Sequence, residues 1–448
     1  MLFDDALRYL LSLGHETLAI KLGLRNTLQL LEALGQPQRA FPKVQIAGTN
    51  GKGSTAAMLD AICRAAGIKT GLYTSPHLIN ITERIRIEGR EITPEEFARL
   101  TSRVRAVAQG LCDEGTLAAL PTFFEQVTAI ALLAFNEAQV QLGILETGLG
   151  GRLDATTAAQ AEVVAITPVA LDHQEYLGHT LSEIAAEKAA IIRPGVAALI
   201  APQSYEALAV MLRRCEACGV TPRLNGSDAL IVGADSLGRL RVTFKTEQDQ
   251  YANVLLGLRG RHQVTNAVLA VELAEVLRER GFKIGRREIM EGLKTAQHAG
   301  RLEMRPGPPS MLFDGAHNVA GARALGNYLD EFARQPLTLV FGAMRDKDVS
   351  EIASILFPRA WRLVLTSPAN PRAATVETLA RAVPFNFDSS KITLAPNALD
   401  ALRAARELTP EDGLICITGS LYLVGEIQSY LEQYAEAEPP AHPLIKQG

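Results

Sequence analysis

Apolar and polar positions along the chain follow two alternating periods. Short runs rich in β-branched and aliphatic residues, such as VQIA, QLGILET, EVVAITP and VAALIAP, have the length and composition of buried strands. Between them lie segments with apolar residues at helical spacing, such as Met58, Leu59, Ile62 and Cys63. The predicted order is a strand at VQIA, a helix ended by Gly67, a strand at IKTGLYT, and helices over about 94–110 and 122–138. Strands at QLGILET and EVVAITP, a helix around 180–192 and a strand at VAALIAP follow. This rhythm predicts an α/β fold whose mainly parallel sheet has helices on both faces.

The rhythm breaks over 225–257, where LIVGAD and LRVTFK flank a glycine-containing turn and predict an antiparallel hairpin, the start of a small antiparallel sheet. Helices are expected from about Val264 to Arg280 and over 286–296. Three prolines and two glycines in AGRLEMRPGPPS then mark a linker or loop. Five further strands, MLFDGA, LTLVFGA, WRLVLTS, KITLA and GLICITGS, alternate with helices and predict a Rossmann-like C-terminal α/β domain. The expected division is one domain over 1–297, a second over 298–436, and a poorly ordered tail over 437–448. No internal repeat is evident.

Composition narrows the class. The chain has 448 residues, enough for two or three domains, with 47% hydrophobic and 21% charged residues. A net charge of −4 removes the basic field that nucleic-acid binding requires. No uninterrupted apolar stretch approaches the roughly 20 residues of a membrane helix. The start MLFDDALRYLLSLG carries two early acids and no basic segment, so a secretory leader is not expected and the cytoplasm is the expected compartment. Of five cysteines, Cys215 and Cys218 form the one C-x-x-C. They fall at the end of an amphipathic helix stopped by Gly219, without the second pair a zinc site needs.

Candidate chemistry gathers at strand ends. In AGTNGKGST, Gly48, Gly51 and Gly53 let backbone N–H groups approach oxygens closely. The helix that follows offers its N-terminus to an anion, Lys52 a charge for phosphate, and Ser54 or Thr55 a hydroxyl for Mg²⁺. The spacing departs from G-x-x-x-x-G-K-[ST], because Gly53 separates Lys52 from Ser54; a plain strand-to-helix turn is the competing reading. Glu146, at the end of ILE, sits where open α/β sheets place ligands, although such an acid can equally cap a loop amide. In ALDHQEYLG, Asp172, His173 and Glu175 form a polar cluster after a buried strand, either a cation site or a surface loop. Lys188 lies on a helix among Ile184, Ile191 and Ile192; it either snorkels to water or has a charge partner or covalent modification. In FDGAHN, Asp314, His317 and Asn318 follow the first strand of the second domain.

Taken in order, GTNGKGS, TSPHL, LETGLGGRLDAT, ALDH, EKAAIIRPG, HQVTNA, GRLE and FDGAHN resemble the folylpolyglutamate synthase / dihydrofolate synthase family, the folate branch of the Mur-type amide ligases. The resemblance spans roughly residues 40 to 430, and GTNGKG[ST] is that family's usual form of the loop. It implies an N-terminal P-loop ATPase domain with a small appended sheet, a Rossmann-like second domain, and ATP in the cleft between them. It further implies that a substrate carboxylate attacks the γ-phosphate, and that glutamate's amine then displaces phosphate from the acyl phosphate.

By motif position, Gly48, Thr49, Asn50, Gly51, Lys52, Gly53, Ser54, Thr55, Asn266, Arg301, Asp314 and His317 are the implied ATP contacts. Ser54, Ser75, Glu146 and His173 are the implied metal-site residues, with Mg²⁺ in two sites and a monovalent cation such as K⁺ as a further expectation. Lys52, Lys188, His173 and Glu146 are the implied catalytic set, and Lys188 matches the position often carbamylated. Thr122, Phe124 and Asp154 are the implied pterin contacts; of Phe123 and Phe124, one is expected to enter the core. The segment RLDAT, with Thr157 where asparagine is commoner, favours action on both dihydropteroate and folate. Expected partners are therefore folate or dihydropteroate, L-glutamate and ATP, with neither nucleic acid nor membrane, on a monomer. Two other readings compete: a ligase acting on a cell-wall nucleotide precursor, which TSPHL and LDAT disfavour, and a nucleotide-binding regulator, which would have no use for Glu146, His173 and Lys188. Glutamate-binding residues are not identified; Ser420, in ITGSLYLVGE, is a candidate anion-binding helix start.

Overall fold

The computed structural model describes residues 1–14, 23–224, 227–333 and 336–437, so residues 438–448 of the expected tail lie outside the described residues. The chain divides into two compact units: Met1–Asp235 with Arg239–His298, and Ser236–Gly238 with Ala299–Gly448.

In the first unit, β1 (Lys43–Ala47), β2 (Thr70–Tyr73), β3 (Ile85–Ile87), β4 (Arg90–Glu91), β5 (Leu142–Glu146), β6 (Val163–Ile166), β7 (Ala197–Ile200) and β8 (Arg223–Leu224) form one sheet. Its order is β4-β3-β2-β5-β1-β6-β7-β8. Pairing is parallel from β2 to β8, and antiparallel where β3 joins β2 and β4 joins β3. Every residue of β1, β5 and β6 is buried, which is why these strands read as mainly apolar runs. The register sets Ile46 beside Glu146 on one side and Ala165 on the other. The carboxyl ends of three central strands therefore open side by side, the usual place for a ligand in an open α/β sheet.

The predicted hairpin is β9 (Asp228–Ala234) and β10 (Arg239–Lys245), and β11 (Gln250–Arg259) adds a third antiparallel strand. Leu240, Val242 and Phe244 alternate inward along β10, the mark of a sheet with one covered face. The two helices expected after it run His262–Glu279 and Arg286–Thr295.

The second unit holds β12 (Glu303–Arg305), β13 (Ser310–Phe313), β14 (Leu337–Phe341), β15 (Arg362–Thr366), β16 (Ile392–Ala395) and β17 (Leu414–Thr418), in the order β12-β13-β17-β14-β15-β16. Here the expected linker or loop is a loop preceded by a strand. Residues 303–305 form an edge strand antiparallel to β13, with Met304 opposite Leu312, and the proline-glycine run is the turn of that hairpin. Glu303 fixes the edge, its Oε2 accepting from Gly300 N at 2.9 Å and Gln428 Nε2 at 2.8 Å. The core behind the sheet is apolar, with Phe341 and Phe357 packed edge to face at 5.1 Å.

Cys63, Cys112, Cys215, Cys218 and Cys416 are free thiols; Cys215 and Cys218 end the helix Tyr205–Ala217, and Gly219 follows at φ 63°. Among the described residues, no helix is long and apolar enough to cross a membrane.

Candidate functional site

The loop from Gly48 joins β1 to the helix Lys52–Ala65, with Gly51 as the helix N-cap at φ 94°. That left-handed backbone suits glycine. A Cβ there would also lie 2.2 Å from Asn266 Oδ1, and one at Gly48 would lie 1.8 Å from Thr167 Oγ1. The loop is tied to the segment after β6: Thr49 N and Asn50 N donate to Pro168 O at 3.1 and 3.3 Å. The Thr49 hydroxyl donates to Ala170 O and accepts from Ala170 N, both at 3.1 Å. The first-turn N–H groups of the helix therefore end at a fixed loop, which favours an anion.

Two ammonium groups meet here. Lys52 Nζ folds onto its own loop, donating to Gly48 O at 3.2 Å and Thr49 O at 3.1 Å. Lys188 does not snorkel. It is 4% exposed, and its Nζ donates to Gly48 O at 2.8 Å. Burial, and then the positive charge of Lys52, bring it down to about 7, against an opposing pull from Asp172, Asp154 and Glu187. An amine that is half neutral near physiological pH is a nucleophile, which an ordinary lysine is not.

Glu146 is buried at the end of β5, and its Oε2 accepts from Ser75 N at 3.2 Å. It thus caps a loop amide, yet the same oxygen would lie 3.2 Å from a Cβ on Gly53. The carboxylate therefore faces the first turn of the loop helix. Ser54 is held in that turn by Gln263 Nε2 and His298 Nδ1, each 3.2 Å from its Oγ. Gln263 in turn accepts from Asn266 Nδ2 at 2.9 Å. The Thr55 hydroxyl is buried without a partner.

His173 adopts φ 49° before the short helix Gln174–Leu177, and its backbone N donates to Asp172 Oδ1 at 2.9 Å. Among the described residues, no three His, Cys, Asp or Glu side chains come together as a metal cluster. Glu146 and His173 are thus not joined by a third such ligand. The Glu146 carboxylate, which faces Gly53, and the hydroxyl of the next residue, Ser54, are hard oxygens. They fit Mg²⁺, which takes one or two protein oxygens and completes its shell with phosphates and water.

The expected pterin residues occupy the next loops. Thr122 caps the helix Phe123–Glu137 in a reciprocal box with Glu125. Phe123 enters the core under the Arg84 guanidinium, 5.4 Å from its ring centre. Phe124 lies over Gly148, where a Cβ would be 2.4 Å from its Cζ. Asp154 is buried and holds the glycine loop, accepting from Leu149 N at 2.9 Å and Thr156 N at 3.0 Å; burial raises its pKa. Thr157 donates to Gly151 O at 2.7 Å, so the departure from asparagine keeps a capping function.

In the second unit, Asp314 directly follows β13. Its Oδ2 accepts from Leu302 N at 2.9 Å and its Oδ1 from Ala316 N at 3.0 Å. Burial raises its pKa, and the Arg301 charge opposes that shift. Arg301 donates to Gly315 O at 3.3 Å, and His317 Nδ1 donates to the same carbonyl at 2.8 Å. Asn318 caps the helix Val319–Phe332. The Ser420 hydroxyl accepts from Tyr422 N at 3.1 Å.

Sequence reasoning missed Gln263 and His298. Gln263 lies inside HQVTNA and was open to the same reading as Asn266. His298 sits in TAQHAG, which has no motif.

Two domain families match: the Mur ligase middle domain over residues 46–274, and the Mur ligase, glutamate ligase domain over 300–421. A probable bifunctional folylpolyglutamate synthase/dihydropteroate synthase of Halobacterium salinarum is 34% identical over 444 residues. The match takes in 98% of this chain, but the chain spans only about half, 53%, of that protein's length. The dihydrofolate synthase/folylpolyglutamate synthase of Mycobacterium tuberculosis is 34% identical over 397 residues, 85% of this chain and 82% of that one. The structure of Mycobacterium tuberculosis folylpolyglutamate synthase complexed with ADP superposes with a TM-score of 0.88 at 32% identity, covering 96% of this chain and 98% of the other. The chain belongs to the folylpolyglutamate synthase/dihydrofolate synthase family of Mur ligases.

Proposed function

We propose that this protein joins L-glutamate to the carboxylate of a folate substrate, driven by ATP, through an acyl phosphate. It would extend tetrahydrofolate polyglutamates and also convert dihydropteroate and glutamate to dihydrofolate, the pair of activities that its Mycobacterium tuberculosis relative is named for. The observation that carries this is the loop site. A phosphate-type loop at the end of β1, two lysines on one carbonyl of that loop, and the strand-end carboxylate Glu146 beside it form an anion site with an acid for a metal.

A carboxylate is a poor acyl donor until its oxygen becomes a better leaving group, and phosphoryl transfer supplies one. The transfer depends on positioning and charge neutralisation more than on covalent help from the protein. Backbone N–H groups of residues 48–55 and the Lys52 ammonium hold the ATP phosphates in this reading, with Asn266 on the adenine side. Arg301, Asp314 and His317 are proposed nucleotide contacts from the second unit, on the sequence resemblance. Ser54, Ser75, Glu146 and His173 would hold Mg²⁺, in two sites. Bound there, it would neutralise phosphate charge and orient the attacking carboxylate. Thr122, Phe124 and Asp154 are the proposed pterin residues, with the Phe124 face available to a planar ring.

Lys188 is proposed to be carbamylated. Its neutral amine adds to CO₂, one N–C bond forms, one proton leaves, and the cation becomes an anion beside Lys52. The buried position of Lys188 on the loop carbonyl and its lowered pKa support the modification. The protein is further read as a cytoplasmic monomer that responds to a monovalent cation such as K⁺, with neither nucleic acid nor membrane as a partner. The test is glutamate-dependent ADP release with dihydropteroate, tetrahydrofolate and its mono- and diglutamates, run beside a UDP-muramyl precursor. Release with the muramyl substrate alone would replace the folate reading with the cell-wall one.

A further inference from the structure

We propose that His298 is a positioning residue for the divalent cation at the phosphate loop: its Nδ1 takes the hydroxyl hydrogen of Ser54 and leaves an oxygen lone pair for the metal. The proposal rests on the ATP-and-magnesium reading above.

A serine hydroxyl has one hydrogen to donate and two lone pairs. In the first turn of the helix Lys52–Ala65, the Ser54 oxygen has two neighbours, Gln263 Nε2 and His298 Nδ1, each at 3.2 Å. The Gln263 amide is oriented by its other end, whose Oε1 accepts from Asn266 Nδ2 at 2.9 Å. Its nitrogen therefore faces Ser54, and a nitrogen of that kind only donates. One lone pair of Ser54 is thus used.

What His298 does decides the rest. If Nδ1 donated, both lone pairs would be filled and the hydroxyl hydrogen would point at the incoming cation, which repels it. If Nδ1 accepts, the hydrogen is drawn aside and the second lone pair stays available. Only that arrangement makes Ser54 a metal ligand. It requires the imidazole hydrogen on Nε2.

The extra glycine of the loop has its reason here. A Cβ at Gly53 would lie 2.6 Å from His298 Cε1, 3.0 Å from its Nε2 and 3.2 Å from Glu146 Oε2. Both the imidazole and the carboxylate press against this one residue. Any side chain at 53 would push one or both away. Gly53 thus gives the hydroxyl, its orienting histidine and the carboxylate room in the same turn.

The experiment is calorimetric titration of ADP with and without Mg²⁺ into wild type, His298→Ala, His298→Leu and His298→Asn. Asn can place an oxygen acceptor near the Nδ1 position; Leu keeps most of the volume without an acceptor, and serves should the Ala variant not fold. Outer-shell partners of metal ligands carry roughly 10–100-fold in metal affinity. The Ala or Leu variant should therefore lose at least about tenfold in Mg²⁺-dependent ADP affinity while metal-free ADP binding holds, and Asn should recover most of the loss. Equal weakening of both forms of ADP, or an Asn variant no better than Leu, would show that His298 only packs, and would overturn the proposal. Wild type whose ADP binding ignores Mg²⁺ would instead remove the metal reading of the loop, and this inference with it.

Discussion

Lys52 and Lys188 donate to the same carbonyl oxygen, that of Gly48, at 3.2 and 2.8 Å. Two full positive charges on one carbonyl oxygen, one of them buried, would repel strongly. The strain falls on Lys188, which burial and the Lys52 charge bring down to about 7 from an ordinary 10.5. Between those two values the unfolded chain keeps a proton that the folded chain has released. Stability therefore rises with pH across that window, and the penalty is complete below it. Lys188→Met removes the penalty, which is on the order of 5 kcal/mol at its low-pH limit. The melting temperature of this variant should exceed wild type most near about pH 6, and the gain should shrink toward pH 10, while ADP release falls sharply. A variant less stable than wild type at the acid end would contradict the lowered pKa of the buried Lys188 amine.

The same amine is the one that can take up CO₂. A carbamate would exchange a like-charge neighbour of Lys52 for an opposite one, so the modification is favoured where the free ammonium is not. Wild-type activity should fall after CO₂ is stripped in mild acid and return with bicarbonate. Lys188→Arg, always charged, should show neither effect. An intact-mass spectrum under native conditions should carry one added CO₂ in wild type and none in the arginine variant.

Gly51 and Gly53 predict different failures three and five residues after Gly48. At Gly53 the atoms nearest an added methyl belong to two side chains, His298 and Glu146, at 2.6 and 3.2 Å. Because those side chains can shift, Gly53→Ala should cost less stability than Gly51→Ala and still lose at least tenfold in ADP release. At Gly51 the backbone itself is left-handed at φ 94°, and the methyl meets Asn266 Oδ1 at 2.2 Å. Gly51→Ala should cost about 1 kcal/mol or more of stability as well as activity. Thermal unfolding and ADP release, measured on both, separate the two.

The central strands of the two mainly parallel sheets were legible because each is covered on two faces and so reads as a mainly apolar run; β1, β5 and β17 are buried throughout. What escaped were β3, β4, β8, β11 and β12. Of these, β4 and β8 have two residues each, and β3 and β12 three. Such stretches are too short for a period to emerge. β11 is long, at 10 residues, but Asn253 takes a left-handed turn in it and its pairing with β10 slips, which breaks the alternation. The site divides in the same way. Lys52, Glu146 and Lys188 sit in motifs that can be read locally. His298 does not, since its partner Ser54 is 244 residues away and the contact exists only in the fold.

Glu146 tests whether the strand-end acid is there for charge or for shape. Its Oε2 accepts from Ser75 N at 3.2 Å, a bond that a glutamine oxygen can also accept. Glu146→Gln should therefore fold as wild type and keep the loop at Ser75 in place. Mg²⁺-dependent ADP affinity and turnover should both drop, because the amide supplies no charge to the metal. Retained turnover would leave the carboxylate as a loop cap alone.

Arg301 and Asp314 lie together in the second unit, where the arginine charge offsets the burial that raises the Asp314 pKa. Both oxygens of Asp314 accept backbone N–H groups, from Leu302 and Ala316. In Asp314→Asn one of those N–H groups would face an NH₂, so stability should fall by about 1–3 kcal/mol. Arg301→Ala leaves the buried carboxylate without its offsetting charge and should also destabilise. It should weaken nucleotide affinity as well, if the guanidinium touches phosphate. The double variant separates the two effects. With the carboxylate gone, the arginine has nothing left to offset, so the stability losses should be less than additive. The loss of ADP affinity should stay at the level of Arg301→Ala. If calorimetry finds ADP binding unchanged in Arg301→Ala, the arginine serves Asp314 and Gly315 alone.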